Sequence, residues 1–182
     1  IVLFPLSYIF GDILTEVYGY RGSRPIIWCG VAAQVFMILA YSLVQYFPSA
    51  PFWPHQSAYE VILGSVPRIV IASVIAYFVG EFSNSYVLSR MKVWMEGRRL
   101  WIRTIGSTIV GEGIDSILFA CIAFIGILPG RAILTLIVSG YLLKVAYEAA
   151  ATPLTYLIVK KLKQAEGIDT YDRGINYNPF RS

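Results

Sequence analysis

Asp12, Glu16, Glu81, Glu112, Asp115 and Glu148 each interrupt a stretch that is otherwise long and apolar enough to cross a bilayer. A carboxylate in hydrocarbon costs at least ~2.5 kcal/mol, so each must face a bundle interior, a partner or a water-filled cavity. Several such groups together describe a polar site inside a membrane protein. Carboxylates there can accept hydrogen bonds from a donor-rich ligand, hold and release a proton, or ligate a hard cation.

Spacing groups these residues by face, because residues three or four apart share one side of a helix. Tyr8, Asp12 and Glu16 form one stripe, Tyr77, Glu81 and Asn84 a second, and Glu112, Asp115 and Phe119 a third. Each stripe sets an aromatic ring within about a turn of a carboxylate or amide. Flat polar ligands want that combination, with apolar faces and a few hydrogen-bond groups at the edge. Taken singly, each stripe could equally bridge two helices. Together they favour a shared site. Glu148 reads differently: Lys144 lies one turn before it, which offers an i,i+4 ion pair and a structural role.

The elements that must carry these residues follow from hydropathy. Of the 182 residues 57% are hydrophobic and 14% charged, against about a quarter charged in soluble domains. The pattern predicts an all-α integral membrane domain over residues 1–163, with helices over about 1–20, 25–47, 61–90, 104–128 and 132–159. Residues 164–182 form a polar tail. Pro25 suits the first turn of the second helix, Pro67 is tolerated near the start of the third, and Pro153 leaves the Ala149 carbonyl without its usual donor. Residues 48–59, with Trp53 and His55 but no Lys or Arg, read as an interfacial loop.

Counted at about 1.5 Å per residue from the basic end of each helix, Asp12, Glu81, Glu112, Asp115 and Glu148 lie roughly 12–16 Å deep. That is near the middle of a core about 30 Å thick. Glu16 lies one turn shallower.

Charge sets the orientation. Arg21 and Arg24, then Arg90 to Arg103, then Lys160 to Lys163 with the tail all fall on one side, leaving Arg68 and Arg131 opposite. The positive-inside rule makes the richer side cytoplasmic, and the net charge of +4 then implies no nucleic-acid partner. The N-terminus of the chain falls outside, so a sixth helix is expected upstream of Ile1. Cys29 and Cys121 lie in apolar spans as small hydrophobes, with no disulfide framework or zinc spacing. No nucleophile elbow, phosphate loop or metalloprotease pattern appears, which argues against an enzyme, a metal site or a cofactor.

The segment 4–19, Phe-Pro-Leu-Ser-Tyr-Ile-Phe-Gly-Asp-Ile-Leu-Thr-Glu-Val-Tyr-Gly, resembles the VUT family of queuosine precursor transporters. So do Gly80-Glu81-Phe82-Ser83-Asn84-Ser85, the run from Gly97 to Arg103 leading into Ser107-Thr108, Asp115-Ser116, Tyr171-Asp172 and Asn178-Pro179-Phe180. Glu112 stands where many members carry Gln. The resemblance implies a bacterial inner-membrane importer of 7-deazaguanine precursors, chiefly 7-cyano-7-deazaguanine and also the aminomethyl form. It also implies a six-helix bundle like vitamin-transporter substrate-binding subunits, working without an ATPase partner.

On that reading one of Glu81, Glu112 or Asp115 holds the guanine-like edge and Asn84 meets the carbonyl. Tyr8, Tyr77 or Phe119 stacks, and Asp12 and Glu16 either couple transport to protons or bind substrate. The partners are then a small molecule and membrane lipid, with a homo-oligomer left open. A substrate-capturing subunit of a multi-component importer and a divalent-cation carrier are the competing readings.

Overall fold

Among the described residues of the computed structural model, four helices are long and apolar enough to cross a membrane: α1 (Phe4–Tyr46), α2 (Val66–Trp94), α3 (Leu100–Phe124) and α4 (Gly130–Glu166). The structure describes residues 4–58, 60 and 66–180, so the expected start of the third helix at Val61 lies outside the described residues. At 43 residues, α1 would run about 65 Å if straight, roughly twice the hydrocarbon thickness. It folds back instead. Gly19 breaks it with φ 75° and ψ 177°, a conformation open essentially to glycine.

Contacts with α2 trace the reversal. Asp12 meets Asn84 and Glu16 meets Lys92, so the first arm, residues 4–18, runs parallel to α2. Beyond Gly19, Tyr20 packs on Phe82, Trp28 on Phe78, and Gly30 against the Tyr77 hydroxyl, so the second arm, residues 20–46, runs back. Among the described residues, the first two expected spans thus fall on one bent helix. The turn falls at Gly19 rather than in the loop expected at Arg21–Arg24, and those residues open the second arm as helix.

α2 and α3 are antiparallel and close. A Cβ on Gly80 would stand 3.1 Å from the Gly111 carbonyl, and one on Gly111 would stand 2.6 Å from the Asn84 Cβ. Small residues permit that approach. Arg68 ties off the far end, donating to the Ile122 and Ile125 carbonyls at 2.7 and 2.6 Å. These satisfy carbonyls that the end of α3 would otherwise leave orphaned. α4 returns along α3, with Lys144 facing Glu112 and Asp115 and the Trp101 N–H donating to the Tyr156 hydroxyl. α4 continues through Pro153 and on to Glu166, past the apolar span, into its basic last turns.

The distribution of polarity is that of a membrane protein. Among the described residues, buried polar and charged side chains outnumber buried apolar ones, while Phe36, Leu39, Ile117, Leu134, Leu142 and Leu154 are exposed. Lipid solvates those apolar surfaces, so packing and polar contacts hold the helices together. The chain is a multi-pass membrane protein.

The segment after α4 is not loose. Gly167 caps α4 in the left-handed conformation, and residues 169–180 then lie across the Gly19 turn as a strap. Thr170 donates to the Val17 carbonyl, Tyr20 to that of Tyr177, and Trp28 to that of Pro179.

Candidate functional site

The buried face of α3 repeats at helical spacing: Thr104, Ser107, Thr108, Gly111, Glu112, Asp115 and Ser116. Residues on that repeat share one side, and here that side is polar. The first arm of α1, α2 and α4 bring their own polar residues to it. The result is two levels.

The level nearer the strap is charge-balanced. Glu16 pairs with Arg103 at 3.0 Å, Lys163 at 2.7 Å and Lys92 at 3.5 Å. Lys92 also donates to the Glu16 carbonyl, and both lysines reach Asp169, at 2.5 and 2.8 Å. Asp169 is partly buried, which pushes its carboxyl up, but hydrogen bonds from Lys163 and Lys92 outweigh this and hold it below the usual range. Glu16, Lys92 and Arg103 are almost wholly buried. Removing one partner from such a set is costly because it strands a buried charge.

The central level is acid-rich. The Asn84 side chain donates to Asp12 Oδ1 at 2.6 Å. The Glu81 carboxylate rests on Gly11, where a Cβ would collide with it, and the Tyr8 hydroxyl rests on Gly80. Glu81 lies within electrostatic reach of Glu112, Asp115 and Glu148, and Asp12 within reach of Glu148 and Glu81. All five carboxylates are buried, and each lies within electrostatic reach of at least one other. Among the described residues the ion pairs to them come from Lys144, at 2.7 Å from Glu112 and 2.5 Å from Asp115.

That geometry corrects one expectation. Lys144 does not form its ion pair with Glu148 one turn along its own helix; it crosses to α3. Both Glu148 carboxylate oxygens are buried with no hydrogen-bond partner among the described residues. The Thr152 hydroxyl satisfies the Glu148 backbone carbonyl instead.

Beside the Lys144 crossing lies a cavity of about 330 Å³ between α2, α3 and α4. Its polar end is Asp115, Ser116 and Lys144, and its walls include Ser73, Phe119 and Phe124. The two rings meet edge to face with centroids 5.8 Å apart. The volume falls at the lower end of ordinary small-molecule pockets.

Of the residues expected to contact a ligand, Asp115 and Phe119 line this cavity, and Glu112 connects to it through Lys144. Tyr8, Asp12, Glu81 and Asn84 are buried and do not line it. Tyr77 packs toward the second arm of α1, with the Tyr20, Ile27 and Phe82 cluster. Sequence reasoning missed Lys144 as a site residue. The signal was present, since it is the lone basic residue between Arg131 and Lys160.

Comparison with known proteins fits this architecture. Residues 1–158 match the family described as "Putative vitamin uptake transporter". The chain is 30% identical over 166 residues to the "Probable queuosine precursor transporter" of Bacillus subtilis, covering 91% of this chain and 72% of that protein. It is 27% identical over 121 residues to the "Queuosine precursor transporter" of Escherichia coli, covering 66% of this chain and 52% of that protein. A Haemophilus influenzae relative, also named a "Probable queuosine precursor transporter", is 29% identical over 124 residues and 49% covered. The chain thus spans about half the length of the latter two. No solved structure matches. These relatives are transporters rather than enzymes, and the chain belongs to the vitamin uptake transporter family that they and the match over residues 1–158 define.

Proposed function

We propose that this chain imports queuosine precursors across the bacterial inner membrane, with its C-terminus cytoplasmic. 7-cyano-7-deazaguanine is the chief substrate, and the aminomethyl form is accepted. The observation that carries the reading is an aromatic-walled cavity whose polar end is a carboxylate, in a chain whose relatives are named for queuosine precursors. A 7-deazaguanine presents a ring N–H and an exocyclic amine side by side. A carboxylate meets them with two acceptor oxygens, while the ring face takes apolar stacking, as in other base-binding pockets.

Asp115 holds that edge, and Phe119 with Phe124 packs the ring. Glu112 acts through Lys144. Asp12, Glu81 and Glu148, on three different helices, exchange protons during the transport cycle, with Asn84 and Tyr8 as hydrogen-bonding companions and Tyr77 at the edge of the central level. The three cations around Glu16 give that residue a clamping role. The basic clusters gathered at one end of the bundle support a cytoplasmic C-terminus.

Uptake of radiolabelled 7-cyano-7-deazaguanine into liposomes holding the purified chain tests this. Uptake is expected without an ATPase component and faster when the outside is acidic. Asp115→Ala and Glu81→Ala each lower it at least about tenfold, as the loss of a charged hydrogen-bond partner should. Wild-type uptake by both variants overturns the assignment. Uptake that demands a separate energising complex would instead make the chain a substrate-capturing subunit.

A further inference from the structure

The structure separates two polar side chains that could each meet a ligand's carbonyl. Asn84 is fully buried, spends an N–H on Asp12 at 2.6 Å, and is absent from the cavity lining. Lys144 lines the cavity beside Asp115 and Ser116, with its ammonium 2.5 Å from Asp115 and 2.7 Å from Glu112. Resting on the assignment of that cavity to 7-deazaguanines, we propose that Lys144 reads the ring carbonyl and makes the site select a 6-oxo over a 6-amino purine-like ring.

The argument is one of donor and acceptor order. An ammonium only donates and a carboxylate only accepts. Lys144 and Asp115, adjacent at the polar end, therefore present a donor followed by an acceptor. The 2-amino-6-oxo edge presents the complement: a carbonyl acceptor, then a ring N–H and an amine donor. The ammonium already donates to Asp115 and Glu112, so the ring carbonyl would replace one of these contacts when the ligand binds.

A 6-amino ring inverts the order at two positions. Its amine faces the ammonium, donor against donor, and its unprotonated ring nitrogen faces the carboxylate, acceptor against acceptor. Each mismatch leaves a desolvated polar group unpaired, which is how sites built on hydrogen bonds reject close isosteres. Asn84 would not discriminate in this way, because an amide both donates and accepts.

The test compares 7-cyano-7-deazaguanine with its 6-amino counterpart, by calorimetry on the purified chain in detergent. The wild type should favour the oxo compound at least about tenfold, the scale set by one unsatisfied buried polar group. Lys144→Arg, which only donates, should keep the preference. Lys144→Gln, whose amide can turn to serve either ring, removes the mismatch at the 6-position but not the one at Asp115, and should therefore cut the preference several-fold without abolishing it. If Lys144→Gln does not purify folded, Lys144→Gln/Glu112→Gln restores the charge balance and carries the same expectation. An unaltered preference in the Gln variant, or none in the wild type, overturns this inference alone. Failure of the wild type to bind either compound overturns the cavity assignment and this inference with it.

Discussion

Glu16 and Glu148 are both buried intramembrane glutamates, yet their surroundings differ completely. Glu16 has three cations within 3.5 Å; Glu148 has no hydrogen-bond partner among the described residues. The first arrangement is a clamp, and Asp169 closes it from outside the membrane-spanning helices. Because Asp169 is held below its ordinary range by Lys163 and Lys92, its contribution has a definite sign. A depressed folded pKa gives stability that is fully present above the unfolded value and lost as pH falls through the folded one. The difference in melting temperature between wild type and Asp169→Asn should be constant above about pH 5 and close progressively below about pH 4. It will be small, since the side chain is 44% exposed and solvent screens it. A difference that grew toward acid would refute the clamp. At this scale spacing alone misled: Lys144 and Glu148 satisfy the i,i+4 rule, but worth only about 0.2–0.5 kcal/mol, that pairing lost to two carboxylates on a neighbouring helix.

At the scale of elements, Gly19 decides the topology of the first third of the chain. Its φ of 75° and ψ of 177° reverse α1 within one residue, and a Cβ there would stand 2.7 Å from Asp172 Oδ1. Gly19→Ala should destabilise the protein by about 1–3 kcal/mol through backbone strain, with the strap displaced as well. Gly126 supplies the control: its φ is +82° but nothing lies within 4 Å of a Cβ there. Gly126→Ala should therefore lose less melting temperature than Gly19→Ala, and equal losses would mean that the strap contact contributes nothing. Hydropathy put the turn at Arg21–Arg24, because charges ordinarily mark water. A helix can carry charges in its first turn beyond the hydrocarbon, and a lone glycine inside an apolar pattern is a weak signal until its backbone angles are known.

At the scale of the whole molecule, the strap of residues 169–180 binds the turn of α1. Asp172 is buried, accepting from the Tyr20 N–H at 2.6 Å and the Ser89 hydroxyl at 2.7 Å. It thereby caps the second arm of α1, whose opening N–H groups have no partner within the helix. Asp172→Ala should cost roughly 1–2 kcal/mol, the scale of a lost cap, read as a lower melting temperature and faster proteolysis within residues 169–180. Asp172→Asn, which keeps one acceptor oxygen, should lose less. An unchanged melting temperature in the Ala variant would show that the strap rests on the bundle without holding it. The linear chain was enough to establish a helical membrane protein, the gathering of basic residues at one end, and membership of a transporter family, because hydropathy, charge order and motif residues are local properties. It also picked out the six carboxylates, since their cost in hydrocarbon holds whatever the fold. Which of them are neutralised by a cation, which line a cavity and which stay unpaired was decided only by the folded bundle. Ion pairs form over distances of about 3 Å, and which helix comes that close is fixed by packing in the bundle, not by spacing along the chain.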